Sequence, residues 1–265
     1  MALELLVLVL GVIFLAAIAI AQFLWLRGQS RQTSQMIGQN LAETLQKPLL
    51  DLTERVTRMG GDLSVVRAAR VSYDAAWRAG DDQGSDARLI SYLWRNHHTT
   101  PFEAVTMTFE VYAPIFVLRQ WHRHRTWSFN ELSGRYRELP EIFYVPDPAV
   151  IGMQSKTSKQ ARDIGSADNP AAAALMREAG AASFRVYQQL LENQVPRELA
   201  RSVLPVSTYS HMFATVDLLN LMKFLKLRCH DHAQYEIRVY ADAMRELVRP
   251  IVPLSIAAWE NKSEA

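Results

Sequence analysis

Between Arg119 and Arg137 lie five arginines and two histidines against a single acid, Glu131, within nineteen residues. The whole chain is nearly neutral, with Lys+Arg 29, Asp+Glu 27 and a formal charge of +2, so this cationic density is local. Like charges this close repel unless an anion shares the space. Arg119 and Arg123 are four residues apart and fall on one face of a helix, while His124 and Arg125 point elsewhere. Guanidinium forks of this kind suit phosphate or another planar anion. A solvated basic face is the plainer reading, yet it has no use for Asn130, Glu131, Ser133, Gly134 and Tyr136 in a tight polar loop after Trp127 and Phe129. Ser128 and Glu131 also have the spacing of a capping box, which by itself marks only a helix start.

Other reactive residue types point less sharply. Cys229 is the single cysteine, which excludes an intramolecular disulfide and a multi-thiolate zinc site. Arg228 beside it could activate the thiol, and an inert helix cysteine is the alternative preferred here. Seven histidines (His97, His98, His122, His124, His211, His230 and His232), with Glu236 four residues after His232, permit a His-based metal hydrolase. Cations on both sides of His124 oppose a dication there, and no metal is expected. A non-enzymatic alternative is a membrane-tethered nucleic-acid-binding module that stacks bases on Trp121, Trp127 and Phe129 and loses affinity steeply with salt. The balanced charge excludes coating nucleic acid along the whole chain, and no nucleic-acid partner is expected.

The elements that must position these residues form one α+β domain from residue 57 to 265. Met59 to Asp62 reads as a turn, Leu63 to Tyr73 as a short helix and Ala87 to Asn96 as another. Thr106 to Ala113 alternates, with Phe109, Val111 and Ala113 on one face and Thr108, Glu110 and Tyr112 on the other, the signature of a half-buried strand. Pro114 stops it and starts a helix at Ile115. Asp147 to Pro170 is a polar surface excursion. Helices are expected over Ala171 to Asn193, Pro196 to Leu204, Val216 to Arg228 and His232 to Val248, the last two amphipathic.

The first 56 residues differ in kind. Leu5 to Leu26 is a run of 22 residues without a charged side chain, and a helix of that length spans roughly 33 Å, enough for a hydrocarbon core of about 30 Å. The start lacks the basic residues of a cleavable signal, Trp25 suits the interface, and Arg27 with Arg31 places the N-terminus outside and the rest in the cytoplasm. Residues 1–28 thus read as a transmembrane-like helix, with a buried core helix as the alternative, and 29–56 as a helical spacer kinked at Pro48.

Taken together, the motifs resemble the flavin-dependent thymidylate synthases, whose signature is Arg-His-Arg, seven residues, then Ser: here Arg123-His124-Arg125 followed by Ser133. The similarity extends through Ala113 to Val117, Arg119 to Trp121 and Asn130 to Tyr136. It continues in Ala68 to Ser72, His98 with Thr100 to Glu103, Val195 to Arg201 with Leu204-Pro205, and Leu227-Arg228 with His232 to Gln234, covering about residues 57–260. A match spread over a whole domain is far more specific than a lone motif. It implies a mixed or antiparallel sheet with packed helices and the reductive methylation of dUMP to dTMP. Methylenetetrahydrofolate would supply the carbon, NADPH the electrons and FAD the hydride relay, with no enzyme cysteine attacking the pyrimidine.

The same resemblance implies the site. Gln120, Glu131, Ser133, Gly134, Arg135, Arg201 and Arg228 would hold dUMP, the arginines on its phosphate and uracil oxygens, with Arg228 and Arg135 as the catalytic residues. Ser72, Thr100, Glu103, Arg123, His124, Arg125, Asn130, Glu131, Lys223 and His232 would line the FAD. His98 and Tyr136 would face the folate or nicotinamide. Such sites are shared between subunits of a homotetramer, so Arg201 would serve a neighbour. Some members carry asparagines where Asp217 and Lys223 align, and the family does not normally carry an anchor. The leader instead resembles the opening of RmuC-type DNA recombination proteins, which suggests a fusion or a start codon placed too far upstream.

Overall fold

The computed structural model describes residues 56–80, 84–165 and 167–261. The anchor expected at 5–26 and the spacer expected at 29–56, apart from Val56, lie outside these residues. Among the described residues no helix is long and apolar enough to cross a membrane.

The chain enters on strand β1 (Val56–Met59), turns through Gly60 and Gly61, and forms helices α1 (Asp62–Arg70) and α2 (Ser85–Arg95). The long strand β2 (Thr106–Pro114) runs without a loop into α3 (Ile115–Trp121), because Pro114, extended at φ −60°, ends the strand while standing as the N-cap of the helix. A short strand β3 (Ser128–Glu131) follows the basic segment. The polar excursion holds one helical turn, α4 (Pro148–Ile151), and a small hairpin, β4 (Met153–Gln154) with β5 (Arg162–Asp163). Then come α5 (Pro170–Glu192), α6 (Arg197–Ala200), β6 (Tyr209–Asp217), α7 (Leu218–Arg228), α8 (Tyr235–Val248) and α9 (Pro253–Glu260).

The main sheet is antiparallel in the order β1-β2-β6-β3. Its centre is the β2 and β6 pair, in register from Thr106↔Asp217 to Pro114↔Tyr209. Period-2 alternation turns Met107, Phe109, Val111 and Ala113, with Met212, Ala214 and Val216, onto one buried face. Helices α3, α7, α8 and α9 supply the facing core through Val117, Leu118, Trp121, Leu221, Phe224, Ile237, Val248 and Ile256. Asp62, buried at the start of α1, accepts hydrogen bonds from Leu254 N (2.7 Å), Ser255 N (3.0 Å) and Ser255 Oγ (2.6 Å), and so caps α9 from the far end of the chain. A smaller cluster of Phe184, Tyr187 and Ala200 packs beneath Phe143.

The structure corrects several expected elements. Tyr209–Asp217, of which Tyr209 to Thr215 had no assignment, is a central strand, and α7 therefore begins at Leu218 rather than Val216. Asp217 is its N-cap, accepting from Asn220 N at 2.9 Å. Ser128–Glu131 is an edge strand on β6, not a helix start, because its backbone pairs from Ser128↔Thr215 to Glu131↔Met212. Val56, expected to end the spacer helix, starts β1 opposite Phe109.

Candidate active site

The two central strands deliver the two helices that carry the site. Helix α3 leaves β2 at Pro114 and ends at Trp121, which is wholly buried against Phe224 of α7 with ring centroids 5.0 Å apart. That stacking fixes the C-terminus of α3 beside α7. The polar residues of both ends then meet: Arg228, in the last turn of α7, donates from Nε to His124 Nε2 at 3.0 Å. It also donates from Nη1 to Gln120 Oε1 at 3.5 Å and from Nη2 to the Gln120 carbonyl at 3.3 Å. A cation is favourable at the C-terminal ends of helices, where the carbonyls point outward. Because His124 Nε2 accepts, the ring is neutral with its proton on Nδ1. Burial, and then the Arg228 charge, push its pKa down to about 4. Burial also draws Arg228 below its ordinary value, though a guanidinium remains protonated.

Arg123, His124 and Arg125 line an open concavity of about 610 Å³ together with Thr126, Asn220 and Lys223. Three of these six residues are basic and none is acidic, so the donor set fits a polyanionic ligand. Asp217, beside it in sequence, spends its carboxylate on Asn220, whose side-chain amide donates at 2.6 Å. This explains why Asp217 itself is a cap rather than a contact.

Arg135 and Arg201 line a second concavity of about 600 Å³ with Pro196, Glu198 and Leu199. Arg135 pairs with Glu198 at 3.1 Å. Gly134 is buried, and a Cβ there would come within 3.1 Å of Arg201 Cδ and 3.3 Å of Leu139 Cδ1. Its lack of a side chain lets the loop close over Arg201. Glu131, on β3, accepts from Ser210 Oγ of β6 at 2.8 Å and lies 3.8 Å from His122 Nε2. Ser133 Oγ accepts from Arg135 N at 3.3 Å, shaping the turn.

The other expected residues are not gathered into either of these concavities. Ser72 lies in a single turn of 3-10 helix after α1, Thr100 and Glu103 lie in another before β2, and all three are exposed. His98 meets Tyr92 edge-on at 5.8 Å, and Tyr136 is 83% exposed. Asn130 is exposed on β3, and His232 stacks on His230 at 5.0 Å. Thr126, Asn220, Glu198 and Ser210 were missed as site residues; only the alignment of Lys223 and Asp217 pointed toward Asn220.

Both rival readings meet physical objections. The carboxylate of Glu236, which the metal-hydrolase alternative would set beside His232 and His230, is buried and takes hydrogen bonds from Arg162 Nη2 (2.7 Å), Tyr144 Oη (3.0 Å) and Gln234 Nε2 (2.9 Å). Among the described residues no group of three or more His, Cys, Asp or Glu could hold a metal. Trp121 and Trp127 are buried at 0% and 6% exposure, so neither offers a face to a base. Burial, and then Asp242, raise the Cys229 thiol to about 12, which makes it inert at neutral pH.

The sequence model described as "Thymidylate synthase complementing protein" matches residues 55–254. The chain is 47% identical over 216 residues to the flavin-dependent thymidylate synthase of Thermus thermophilus, spanning 81% of this chain and 78% of that protein. It is 43% identical over 206 residues to that of Treponema pallidum, spanning 77% and 67%. Its fold is similar to the crystal structure of a UMP/dUMP methylase, PolB from Streptomyces cacaoi bound with 5-Br dUMP, at a TM-score of 0.70 with 42% identity, over 77% of this chain and 94% of that one. The motif residues, the antiparallel sheet that gathers them and this likeness over most of the chain agree, and the protein belongs to the flavin-dependent thymidylate synthase family.

Proposed function

We propose that residues 57–265 form the catalytic domain of a thymidylate synthase that converts dUMP to dTMP by reductive methylation, with methylenetetrahydrofolate as carbon donor, NADPH as reductant and FAD as hydride relay. The observation that carries this reading is the direct bonding of Arg228 to Gln120 and His124, which lie 108 and 104 residues away in the chain. Family-motif residues from two separate segments thus make one polar cluster beside a cationic concavity.

Arg123, His124, Arg125 and Lys223 would hold the FAD, guanidinium groups meeting its pyrophosphate and a neutral imidazole lying between them. Ser72, Thr100, Glu103, Asn130 and His232 complete that assignment. When bound, the flavin supplies hydride transfer, which no amino-acid side chain can. Gln120, Glu131, Ser133, Gly134, Arg135, Arg201 and Arg228 are assigned to dUMP. Arg228 and Arg135 are the catalytic pair: a guanidinium beside a uracil oxygen stabilises negative charge pushed onto that oxygen as the ring gains its new carbon. Glu131 holds its acceptor in place through Ser210, and Cys229 takes no part. His98 and Tyr136 are assigned to the folate and nicotinamide side.

One subunit presents the Arg123 and Arg135 clusters as two separate concavities. This supports a homotetramer with shared active sites, in which Arg201 completes a neighbour's site. Exposed Leu175, Met176, Val186 and Leu199 supply apolar surface for such contacts. Residues 5–26 are assigned as a single anchor with the catalytic domain in the cytoplasm, and membrane fractionation of the native protein tests it: a wholly soluble product of lower mass overturns the anchor.

The deciding experiment is a visible spectrum of the purified protein before and after NADPH, with and without dUMP. Bound flavin that bleaches faster with dUMP is expected; a colourless protein that cannot be loaded with FAD overturns the reading. Arg135→Ala should weaken dUMP binding by about tenfold or more, the cost of about one charge-assisted bond. Unchanged binding in a folded variant removes Arg135 from the site.

A further inference from the structure

A line of hydrogen bonds runs from the substrate side of the site into the interior. Arg228 Nη1 donates to Gln120 Oε1, Gln120 Nε2 donates to Gln234 Oε1, and Gln234 Nε2 donates to Glu236 Oε2. The two ends have fixed sense, since a guanidinium only donates and an ionised carboxylate only accepts. The two amides between them do not, because either can be turned over to exchange its oxygen and its NH2. Only one arrangement gives every link a donor and an acceptor. Turning Gln120 alone, Gln234 alone or both leaves two like pairs facing each other in every case.

Glu236 is built to be the fixed end. It is 6% exposed, and its Oε1 is occupied by Arg162 Nη2 and Tyr144 Oη, leaving Oε2 for Gln234. Burial raises its carboxyl, but the bonds from Arg162 and Gln234 outweigh burial and hold it below the ordinary carboxylate range. The cation comes from β5, so the polar excursion contributes a lock to the interior.

We propose that Glu236 is a positioning residue that acts through Gln234 to fix the amide orientation of Gln120, and with it the pattern of donors and acceptors shown to the pyrimidine. This rests on the assignment of Gln120 and Arg228 to dUMP. Glu236→Gln makes the idea sharp. The oxygen of the new amide must face Arg162 and Tyr144, both of which donate, so its NH2 faces Gln234. Both amides then turn over, and the mismatch is delivered to Gln120 and Arg228.

The test is dUMP affinity, read by flavin absorbance in the full-length, FAD-loaded protein, beside flavin content and melting temperature. Glu236→Gln should raise the Kd for dUMP about tenfold, equivalent to about 1.4 kcal/mol, with flavin content unchanged. Gln234→Met, at an exposed position, frees Gln120 without reversing it and should lose less. Tyr144→Phe removes a bond from the same carboxylate but keeps the sense of the line, and should bind dUMP as the parent does. A purely structural Glu236 predicts instead that affinity follows melting temperature in all three. Parental affinity in Glu236→Gln, or equal losses in Tyr144→Phe, overturns the proposal. If Glu236→Gln does not fold, parental affinity in Gln234→Met does the same. A parent protein that takes up FAD but binds no dUMP overturns the assignment of Gln120 and Arg228 themselves.

Discussion

Replacing Arg228 by Met separates two causes that act on His124. In the native protein the imidazole titrates at about 4 instead of 6.5, with burial the larger cause and the Arg228 charge the smaller. Two unit charges about 4 Å apart repel by about 1 kcal/mol in water and about 4 kcal/mol near a protein surface. Burial is the larger cause of a shift from 6.5 to about 4, worth about 3.4 kcal/mol in all, so the charge accounts for less than half of it, a share that falls between those two figures. The His124 midpoint in Arg228→Met should therefore rise no further than halfway from about 4 to 6.5. The effect on stability has a definite sign. Between about 4 and 6.5 the unfolded chain binds a proton that the folded His124 refuses, so stability falls as pH drops through this window. Raising the folded midpoint narrows the window, so the variant should lose less stability than the parent between pH 6.5 and 4. Side-chain NMR titration of the histidines, with urea unfolding at several pH values in this window, measures both. A parent His124 that titrates near 6.5 refutes the buried, acceptor role of its Nε2. A variant that returns fully to 6.5 refutes the ranking of burial over charge.

Two substitutions away from the site test the packing that holds it. Asp62→Ala strips the cap from α9 and leaves the half-buried N–H of Leu254 and the buried N–H of Ser255 without this acceptor, which should cost about 2–4 kcal/mol in urea unfolding; a loss below about 1 kcal/mol would show that water replaces the carboxylate. Gly180→Ala places a Cβ 2.4 Å from Phe143 Cε2, a ring already stacked on Phe184. Overpacking of about 1–3 kcal/mol should exceed the roughly 1 kcal/mol that alanine gains in a helix, lowering the melting temperature. A higher melting temperature would mean that the ring moves freely.

Local periodicity made some of this architecture legible. The faces of β2 followed from its alternation, and the proline after it marked the start of α3. Strand β6 escaped because Met212, Phe213 and Ala214 are apolar in succession, although Phe213 points outward at 45% exposure while its neighbours are buried. Strand β3 escaped for a different reason. Ser128 and Glu131 carry the spacing of a helix cap, and what makes them a strand is pairing with β6, far along the chain. The cluster Arg123-His124-Arg125 was visible as charge density in sequence. Its partner Arg228 came only from the family resemblance, since nothing local joins positions 104 residues apart. Glu236 shows the limit of spacing arguments: four residues after His232 it suited a metal, but packing committed its carboxylate to Arg162.

The loop-free passage from β2 through Pro114 into α3, and from β6 through Asp217 into α7, restricts where the chain can change length. One residue inserted in either helix rotates everything beyond it by about 100°, which would carry Gln120 or Arg228 off the shared cluster while leaving the sheet paired. The stretch between Asp147 and Asn169 leads into neither of these helices, and in it Arg162 must return to Glu236. Insertions and deletions among relatives should therefore collect on either side of that arginine, and the two strand-to-helix junctions should keep their lengths unchanged.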